Sequence, residues 1–201
     1  MFNGGDAVVT KKILIGFAAA GIIAVAGFTG CSKSKDAKDA AQTAGGPGQE
    51  AALQGQAALV SNAVIVEDLK ARLKEKPNDP EVLWRLGDAY FESKQFADAT
   101  EYYKKAIQYK PDETDIYNDL GLSVHYLGKS EEGLKYIEQG IKKNPYHQRI
   151  WLTKGFILAY GVGDLQGAKT AWEKAAALNP ESQIGKAATE FLVQFKEKPK
   201  K

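Results

Sequence analysis

Residues 83–90 read Leu-Trp-Arg-Leu-Gly-Asp-Ala-Tyr, and this stretch begins a pattern that the chain uses three times. Its apolar and small residues stand three, four and seven positions after Leu83, and this spacing places them on one stripe of a helix. A second stripe follows in residues 99–106 after a short polar stretch. Pro111 then ends the second helix, because proline lacks a backbone N–H and clashes with the preceding turn. The stretch predicts a pair of helices.

The pattern recurs with a nearly constant step. From Leu83 to Tyr117 and from Tyr117 to Trp151 the distance is 34 residues each time. The closing prolines are Pro111, Pro145 and Pro180, separated by 34 and then 35 residues. A single helix pair cannot bury its apolar face alone, so the three pairs are expected to stack on one another.

Small residues stand where the two helices of each pair must cross. In the first pair, Gly87 and Ala99 allow the backbones to approach, and the ring of Tyr103 fills the space beside them. The matching residues are Gly121, Gly133 and Ile137 in the second pair, and Gly155, Ala168 and Trp172 in the third. This recurrence makes accidental spacing a poor explanation.

The period and the recurring residues resemble those of the tetratricopeptide repeat (TPR) family. The resemblance implies an all-α fold, a short right-handed solenoid of helix-turn-helix repeats with capping helices. It places repeats at 80–113, 114–147 and 148–182. In this family the first helix of each repeat lines a concave groove that binds a peptide or protein segment.

Amphipathic helices are predicted on both sides of the repeats, so that the folded domain covers residues 60–196. The first capping helix, 61–76, has Ile65, Leu69 and Leu73 along one side. The second, 182–196, is amphipathic as expected of a helix that covers the open end of a solenoid. Residues 197–201 form a basic tail.

The third repeat departs from the pattern twice. It has one residue more than the first repeat between its two helices, and we expect a loosened turn at Gly161-Val162-Gly163-Asp164. Lys154 stands where the repeat pattern expects leucine.

The beginning of the chain is typical of an export signal. Lys11 and Lys12 precede the apolar run 13–28, whose length of roughly 24 Å as a helix is less than the roughly 30 Å of a bilayer core. The run ends in Phe-Thr-Gly-Cys at 28–31, which resembles the lipobox of bacterial lipoproteins. The resemblance implies a signal peptide at 1–30, cleaved before Cys31, whose sulfur then bears a lipid. An uncleaved signal anchor and a plain secreted protein are the alternatives.

The segment 31–59 changes composition to Ala, Gly, Gln and Lys, without an aromatic residue. It cannot bury enough apolar surface to offset the entropy of ordering, so we predict a flexible tether. Ser32 resembles the residue after the lipidated cysteine in outer-membrane lipoproteins. The predicted location is therefore the cell envelope, lipid-anchored, at the periplasmic face of the outer membrane if the cell is Gram-negative.

The residue content argues against catalysis and against nucleic-acid binding. The two histidines, His125 and His147, have no second histidine or cysteine at metal-ligand spacing, and Cys31 is the only cysteine. Removal of residues 1–30 leaves 25 basic against 24 acidic side chains, without a basic stripe for phosphates. We predict a non-enzyme without a cofactor other than the lipid on Cys31, and without a metal or a small-molecule substrate.

Helical spacing identifies the side chains that oppose the packing stripes of the first helices. The predicted groove residues are Trp84, Arg85, Asp88, Phe91, Asn118, Leu122, His125, Tyr126, Phe156 and Tyr160. Their aromatic content exceeds what a purely solvated face needs, and this favours a binding groove. Packing against neighbouring helices is the alternative for any single ring.

The charges near the predicted groove are mostly acidic. The acids are Glu81, Asp88, Glu92, Asp115 and Asp119, against Arg85 and Arg149. TPR proteins that grip a C-terminal carboxylate use Lys, Arg and Asn at the groove, so these acids favour an aromatic-bearing, neutral to basic segment instead.

Together these features predict a membrane-tethered scaffold or assembly factor that binds a protein or peptide segment in its groove. One alternative is a periplasmic holding factor for apoproteins in cytochrome c maturation or in pilus or secretion assembly. A second alternative is an enzyme or a metal- or haem-carrying protein with His125 at its centre.

The anchoring hypothesis predicts the fate of Cys31. The Cys31→Ala variant should remain full length and unlipidated, because the residue that accepts the lipid before cleavage is gone. Each acyl CH₂ contributes about 0.8 kcal/mol to membrane binding, so the lipid would hold the mature chain firmly. Mass spectrometry of membrane-bound wild type should find a lipidated N-terminal Cys31, and an unmodified cysteine there would contradict the hypothesis.

Overall fold

The computed structural model of the chain describes residues 62–196. The predicted signal peptide, Cys31, the predicted tether and the basic tail 197–201 lie outside the described residues.

Residues 62–196 contain eight helices and no strand. The first is α1, at residues 62–75. It is followed by α2 (Pro80–Glu92), α3 (Phe96–Tyr109), α4 (Thr114–Tyr126), α5 (Ser130–Lys143), α6 (Gln148–Ile157), α7 (Leu165–Leu178) and α8 (Gln183–Lys196). A π-helical turn, Leu158–Val162, continues α6. The predicted fold class is confirmed, with α2/α3, α4/α5 and α6/α7 as the three helix pairs.

Local signals define where the helices begin and turn. Asp79 caps α2 by accepting hydrogen bonds from two backbone N–H groups, and Pro80 occupies the first helical position, where its missing N–H has no cost. The turn inside each pair contains one residue in the left-handed region. These residues are Lys94 (φ 59°), Gly128 (φ 79°) and Gly163 (φ 83°). Each of the three turns thus reverses the chain through one left-handed residue, a conformation that glycine adopts at no steric cost.

The close crossing predicted within each pair is present. An added Cβ on Gly87 would overlap the ring of Tyr103, and one on Gly155 would overlap the indole of Trp172. On Gly121 it would lie 2.7 Å from the side chain of Ile137. A side chain at any of these glycines would therefore have to displace the large residue that holds the pair together.

Hydrogen bonds of one kind join successive pairs. The hydroxyl of Tyr117 donates to the carbonyl of Pro111 at 3.0 Å, and Trp151 Nε1 donates to the carbonyl of Pro145 at 2.9 Å. Each bond ties the first helix of a repeat to the proline that ends the previous repeat. The aromatic residue at this repeat position therefore fixes the turn between repeats as well as filling space.

The packing side of α1 differs from the prediction. Ile65 is 40% exposed, whereas Val66 and Leu69 are buried against α2 and Leu73 is partly buried there. A helix has 3.6 residues per turn, so two steps of four residues drift well away from a straight stripe. Val66, Leu69 and Leu73 follow the helical repeat more closely than Ile65, Leu69 and Leu73.

The extra residue of the third repeat is taken up differently from the expectation. The chain does not loosen into an irregular turn at 161–164; instead, the end of α6 widens into the π-helical turn. Gly163 then adopts its left-handed conformation, and the side chain of Asp164 caps α7 by accepting from Gly167 N at 2.8 Å. Lys154 is accommodated at the surface by an ion pair with Glu138 at 2.5 Å.

The helix α8 covers the last pair. Phe191 stacks on Trp172 with ring centroids 4.8 Å apart, and Ala188 is fully buried. Within residues 62–196, none of the helices combines the length and the apolar character that a membrane span needs.

The crossing geometry predicts that Ala99→Leu destabilises the protein. Ala99 is fully buried where α2 and α3 cross, and added methylenes at a packed site cost about 1–3 kcal/mol. Ala97→Leu is the matched control, because Ala97 lies exposed on the same helix. Thermal unfolding should show a lower midpoint only for Ala99→Leu, and equal midpoints would contradict the crossing.

Candidate functional site

The three first helices, α2, α4 and α6, share one face that runs through all three repeats. Positions on this face recur at steps of 34 residues, so that Glu81, Asp115 and Arg149 are equivalent. The face is built by packing, since each first helix is held in place by the glycine contact with its partner helix. The face has a polar centre and an aromatic row.

A buried polar cluster, which we call the Arg149 network, connects the three repeats at this face. Its members are Trp84, Asp115, Asp119, His147 and Arg149. Arg149 Nη1 donates to Asp119 Oδ1 at 3.0 Å, and Nη2 donates to Asp115. Trp84 Nε1 donates to the other oxygen of Asp119 at 3.1 Å, and His147 Nε2 lies 3.2 Å from Asp115 Oδ1. The network therefore links α2, α4 and α6.

The charges in this network stabilise one another. Burial by itself would raise the pKa of Asp115, but the hydrogen bond from His147 and the charge of Arg149 hold it well below its usual range. Burial by itself would lower the pKa of Arg149, but Asp119 and Asp115 raise it above its usual range. Both residues therefore stay charged at neutral pH.

Part of the acidic character predicted for the groove is offset inside the protein, because Arg149 places one positive charge beside two carboxylates. Asp115 and Asp119 are paired with Arg149, which is only 3% exposed. Asp88 accepts a hydrogen bond of 2.8 Å from the hydroxyl of Tyr103. Each of these three carboxylates therefore makes a contact between helices.

Aromatic rings form a continuous row beside the Arg149 network. Phe91 contacts Tyr126 edge to face at 5.8 Å, Tyr126 lies 6.5 Å from Phe156, and Phe156 lies 5.0 Å from Tyr160. Tyr160 in turn contacts Phe195 of α8 at 5.9 Å. This aromatic row passes through all three first helices and reaches the last helix.

The predicted groove residues differ widely in burial. Arg85 and Tyr160 are exposed, and Trp84, Asp88, His125 and Tyr126 are half-buried. Phe91, Asn118, Leu122 and Phe156 are buried, so for these residues the alternative of packing against neighbouring helices is the one observed. They are buried because α2, α4 and α6 lie close enough for side chains on this face to pack against the neighbouring helices.

Sequence reasoning missed two features of this site. Phe96, the first residue of α3, stacks on Tyr126 at 4.7 Å and extends the aromatic row. The pairing of Arg149 with Asp115 was also missed, although the 34-residue step places an arginine directly next to an aspartate on neighbouring helices. Applying the repeat period to charges as well as to apolar residues would have found it.

His125 occupies a structural position in the aromatic row. Its Nδ1 lies 2.9 Å from the Ser130 hydroxyl, and its ring contacts Tyr126 at 5.3 Å and Phe156 at 5.5 Å. Burial lowers the pKa of His125, so it is neutral at pH 7. In the part of the chain that the structure describes, no group of three or more His, Cys, Asp or Glu side chains could hold a metal ion.

Comparison with known proteins supports the tetratricopeptide resemblance. A family model described as TPR repeat matches residues 87–128. The human protein O-mannosyl-transferase TMTC3 is 28% identical over 154 residues, covering 70% of this chain but 17% of that protein. Superkiller protein 3 of Saccharomyces cerevisiae is 26% identical over 135 residues, covering 66% of this chain and 9% of that protein. The chain thus spans less than a fifth of these relatives.

Solved structures share the fold. MamA superposes with a TM-score of 0.54 at 23% identity, covering 63% of this chain and 75% of MamA. The first TPR domain of Spaghetti (RPAP3), bound to the HSP90 peptide SRMEEVD, gives 0.53 at 19% identity and coverages of 59% and 90%. PcrH in complex with the chaperone binding region of PopD gives 0.53 at 20% identity and coverages of 58% and 90%. The described part of the chain therefore has the fold of a TPR-type solenoid.

The Arg149 network predicts a specific dependence of stability on pH. Asp115→Asn should lower the free energy of unfolding at pH 7 by about 1.5–3 kcal/mol, the range for hydrogen bonds to charged groups. The pKa of Asp115 is depressed in the folded state, so its contribution is present above the unfolded pKa of about 4 and is lost as the pH falls below that value. The difference between wild type and variant, measured by denaturant titration, should therefore shrink between about pH 4 and pH 2.

Asp112→Asn is the control for this experiment. Asp112 pairs with Lys143 at 2.8 Å, but its side chain is 85% exposed, and exposed pairs contribute about 0–1 kcal/mol. The stabilising role of the Arg149 network would be contradicted if, at pH 7, Asp115→Asn lowered the free energy of unfolding by no more than Asp112→Asn does.

Proposed function

We propose that this protein is a membrane-tethered scaffold or assembly factor that binds a peptide or protein segment along the shared face of α2, α4 and α6. The observation on which the proposal rests is the aromatic row, which crosses all three repeats and includes the exposed ring of Tyr160. Aromatic side chains supply much of the energy where a segment lies in a protein groove.

The Arg149 network supports this proposal by fixing the face before a partner arrives. It holds the three first helices to one another through buried hydrogen bonds and charge pairs. A face that is already ordered loses little conformational entropy on binding. The solved RPAP3 and PcrH complexes, which contain a peptide and a partner region respectively, are consistent with this use of the fold.

The remaining parts of the proposal concern anchoring and chemistry. A lipid on Cys31 would tether the chain at the cell envelope, at the periplasmic face of the outer membrane in a Gram-negative cell. The domain itself would act by binding, without catalysis and without a cofactor. His125 supports this assignment, because its ring packs between Tyr126 and Phe156 and its Nδ1 contacts Ser130.

A random peptide library displayed on phage tests the binding function. The full-length chain in phosphatidylcholine nanodiscs is panned, and the enriched peptides are measured by fluorescence anisotropy. Tyr160→Ala should weaken their binding by about thirtyfold, because truncation of a hot-spot aromatic costs about 2 kcal/mol or more. Thermal unfolding should change little, because Tyr160 is 45% exposed.

Tyr109→Ala is the matched control. Tyr109 is 46% exposed and lies at the end of α3, a second helix of a pair. Its truncation should leave peptide affinity at the wild-type value. Failure to enrich any peptide, or equal affinities for wild type and Tyr160→Ala, would show that the aromatic row is not a recognition surface.

A further inference from the structure

Exposed apolar side chains concentrate where the helices of the second and third pairs turn. Leu127 is 38% exposed, Val162 44% and Leu165 51%. Tyr160, at the end of the aromatic row, lies beside them in the π-helical turn. We call Leu127, Val162 and Leu165 the turn edge. Clusters of exposed large apolar side chains are more typical of an interaction surface than of a solvated one.

The two turns that contribute to this edge are in contact. An added Cβ on Gly161 would overlap the hydroxyl of Ser130 and lie 2.8 Å from His125 Nδ1. The backbone of the π-helical turn thus rests on the end of α4 and the beginning of α5, the two helices that flank Leu127. The turn edge therefore joins two repeats.

The extra residue of the third repeat adds Val162 to this edge. The helix α6 has ten residues followed by five in the π-helical turn, whereas α2 and α4 have 13 each. At the 34-residue step Tyr160 matches Tyr126, the last residue of α4, and Val162 lies past the point at which the neighbouring first helices end. π-Helical turns within helices occur frequently at functional sites.

The charges around the edge are predominantly acidic. In segments 127–132 and 158–166 the acidic residues are Glu131, Glu132 and Asp164, against the single base Lys129. Asp164 uses one carboxylate oxygen to cap α7. An apolar edge with this rim complements a segment that combines apolar and basic side chains.

We propose that the turn edge recognises a peptide segment of a protein partner that presents an apolar side chain flanked by lysine or arginine. This rests on the proposed function, whose groove it extends, because Tyr160 belongs to the aromatic row and adjoins Val162. The apolar side chain contacts Val162 and Leu165, and the flanking cations lie near Glu131, Glu132 and Asp164. A lipid surface fits less well, because anionic headgroups favour basic segments and would be repelled by this acidic rim.

The peptides enriched by phage display against the full-length chain test this inference. Their sequences should combine Leu, Ile, Val, Phe or Trp with neighbouring Lys or Arg, and replacing the basic residues by Glu should weaken binding at least about tenfold. The double variant Val162→Ser with Leu165→Ser should also weaken binding about tenfold or more, because it removes apolar surface from the contact.

The matched control is Val64→Ser with Val193→Ser. These valines are 67% and 50% exposed and lie on α1 and α8, outside the segments 127–132 and 158–166. The control should bind the enriched peptides as wild type does, and thermal unfolding should be similar for both double variants.

The outcomes separate this inference from the proposed function. If Tyr160→Ala loses peptide binding while the Val162/Leu165 variant retains it, the groove binds peptides and the turn edge is not part of recognition. If no peptide is enriched, both proposals fail. An equal affinity for the Lys-flanked and Glu-flanked peptides overturns the proposed charge complementarity.

A lipid occupant is tested on the same chain. An environment-sensitive fluorophore attached through Val162→Cys in a Cys31→Ala background reports the polarity at the edge in nanodiscs with anionic lipid. Peptide addition should shift its emission to the blue. A blue-shifted emission before any peptide is added would indicate insertion into the bilayer and would overturn the assignment to a protein partner.

Discussion

The close approach of the two helices in each pair is the constraint on which the other features depend. A glycine on the first helix admits the side chain of Tyr103, Ile137 or Trp172 from the second, and a Cβ at that glycine would overlap it or lie within 2.7 Å of it. Because this contact fixes the geometry of a pair, repeating it at 34–35-residue steps places equivalent first-helix positions on one face. The aromatic row and the Arg149 network both follow from that alignment.

The Arg149 network shows how charge is used in this solenoid. Breaking a buried ion pair by removing one partner costs much, whereas the intact pair contributes little net stability compared with well-packed apolar residues. The more important effect here is geometric, because one guanidinium contacts two aspartates of the neighbouring helix and thereby sets the position of α6 relative to α4. The single positive charge of Arg149 offsets one of these two carboxylate charges.

The third repeat departs from the regular period by one residue, and this extra residue adds an exposed segment at the end of α6. One additional residue would normally be expected to lengthen a loop, but here the backbone retains helical hydrogen bonding by widening into a π-helical turn. The result is an exposed segment, residues 160–165, in which Tyr160 belongs to the aromatic row and Val162 lies beyond the ends of the neighbouring first helices. An irregular repeat therefore distinguishes this face from that of a uniform solenoid.

The sequence by itself determined the all-α fold, the three repeats and the residues at each crossing. These depend on local helical periodicity and on residue size, which appear directly in the spacing of Gly87, Tyr103 and Pro111. Only the tertiary structure decided which side chains on the first helices are exposed. Phe91, Asn118 and Phe156 stand at positions that helical spacing assigns to the groove, yet they are buried, because burial depends on the distance to the next helix. The tertiary structure also decided that Arg149 pairs with Asp115 and Asp119, and that the extra residue of the third repeat is taken up in a π-helical turn. Both features depend on how neighbouring repeats pack.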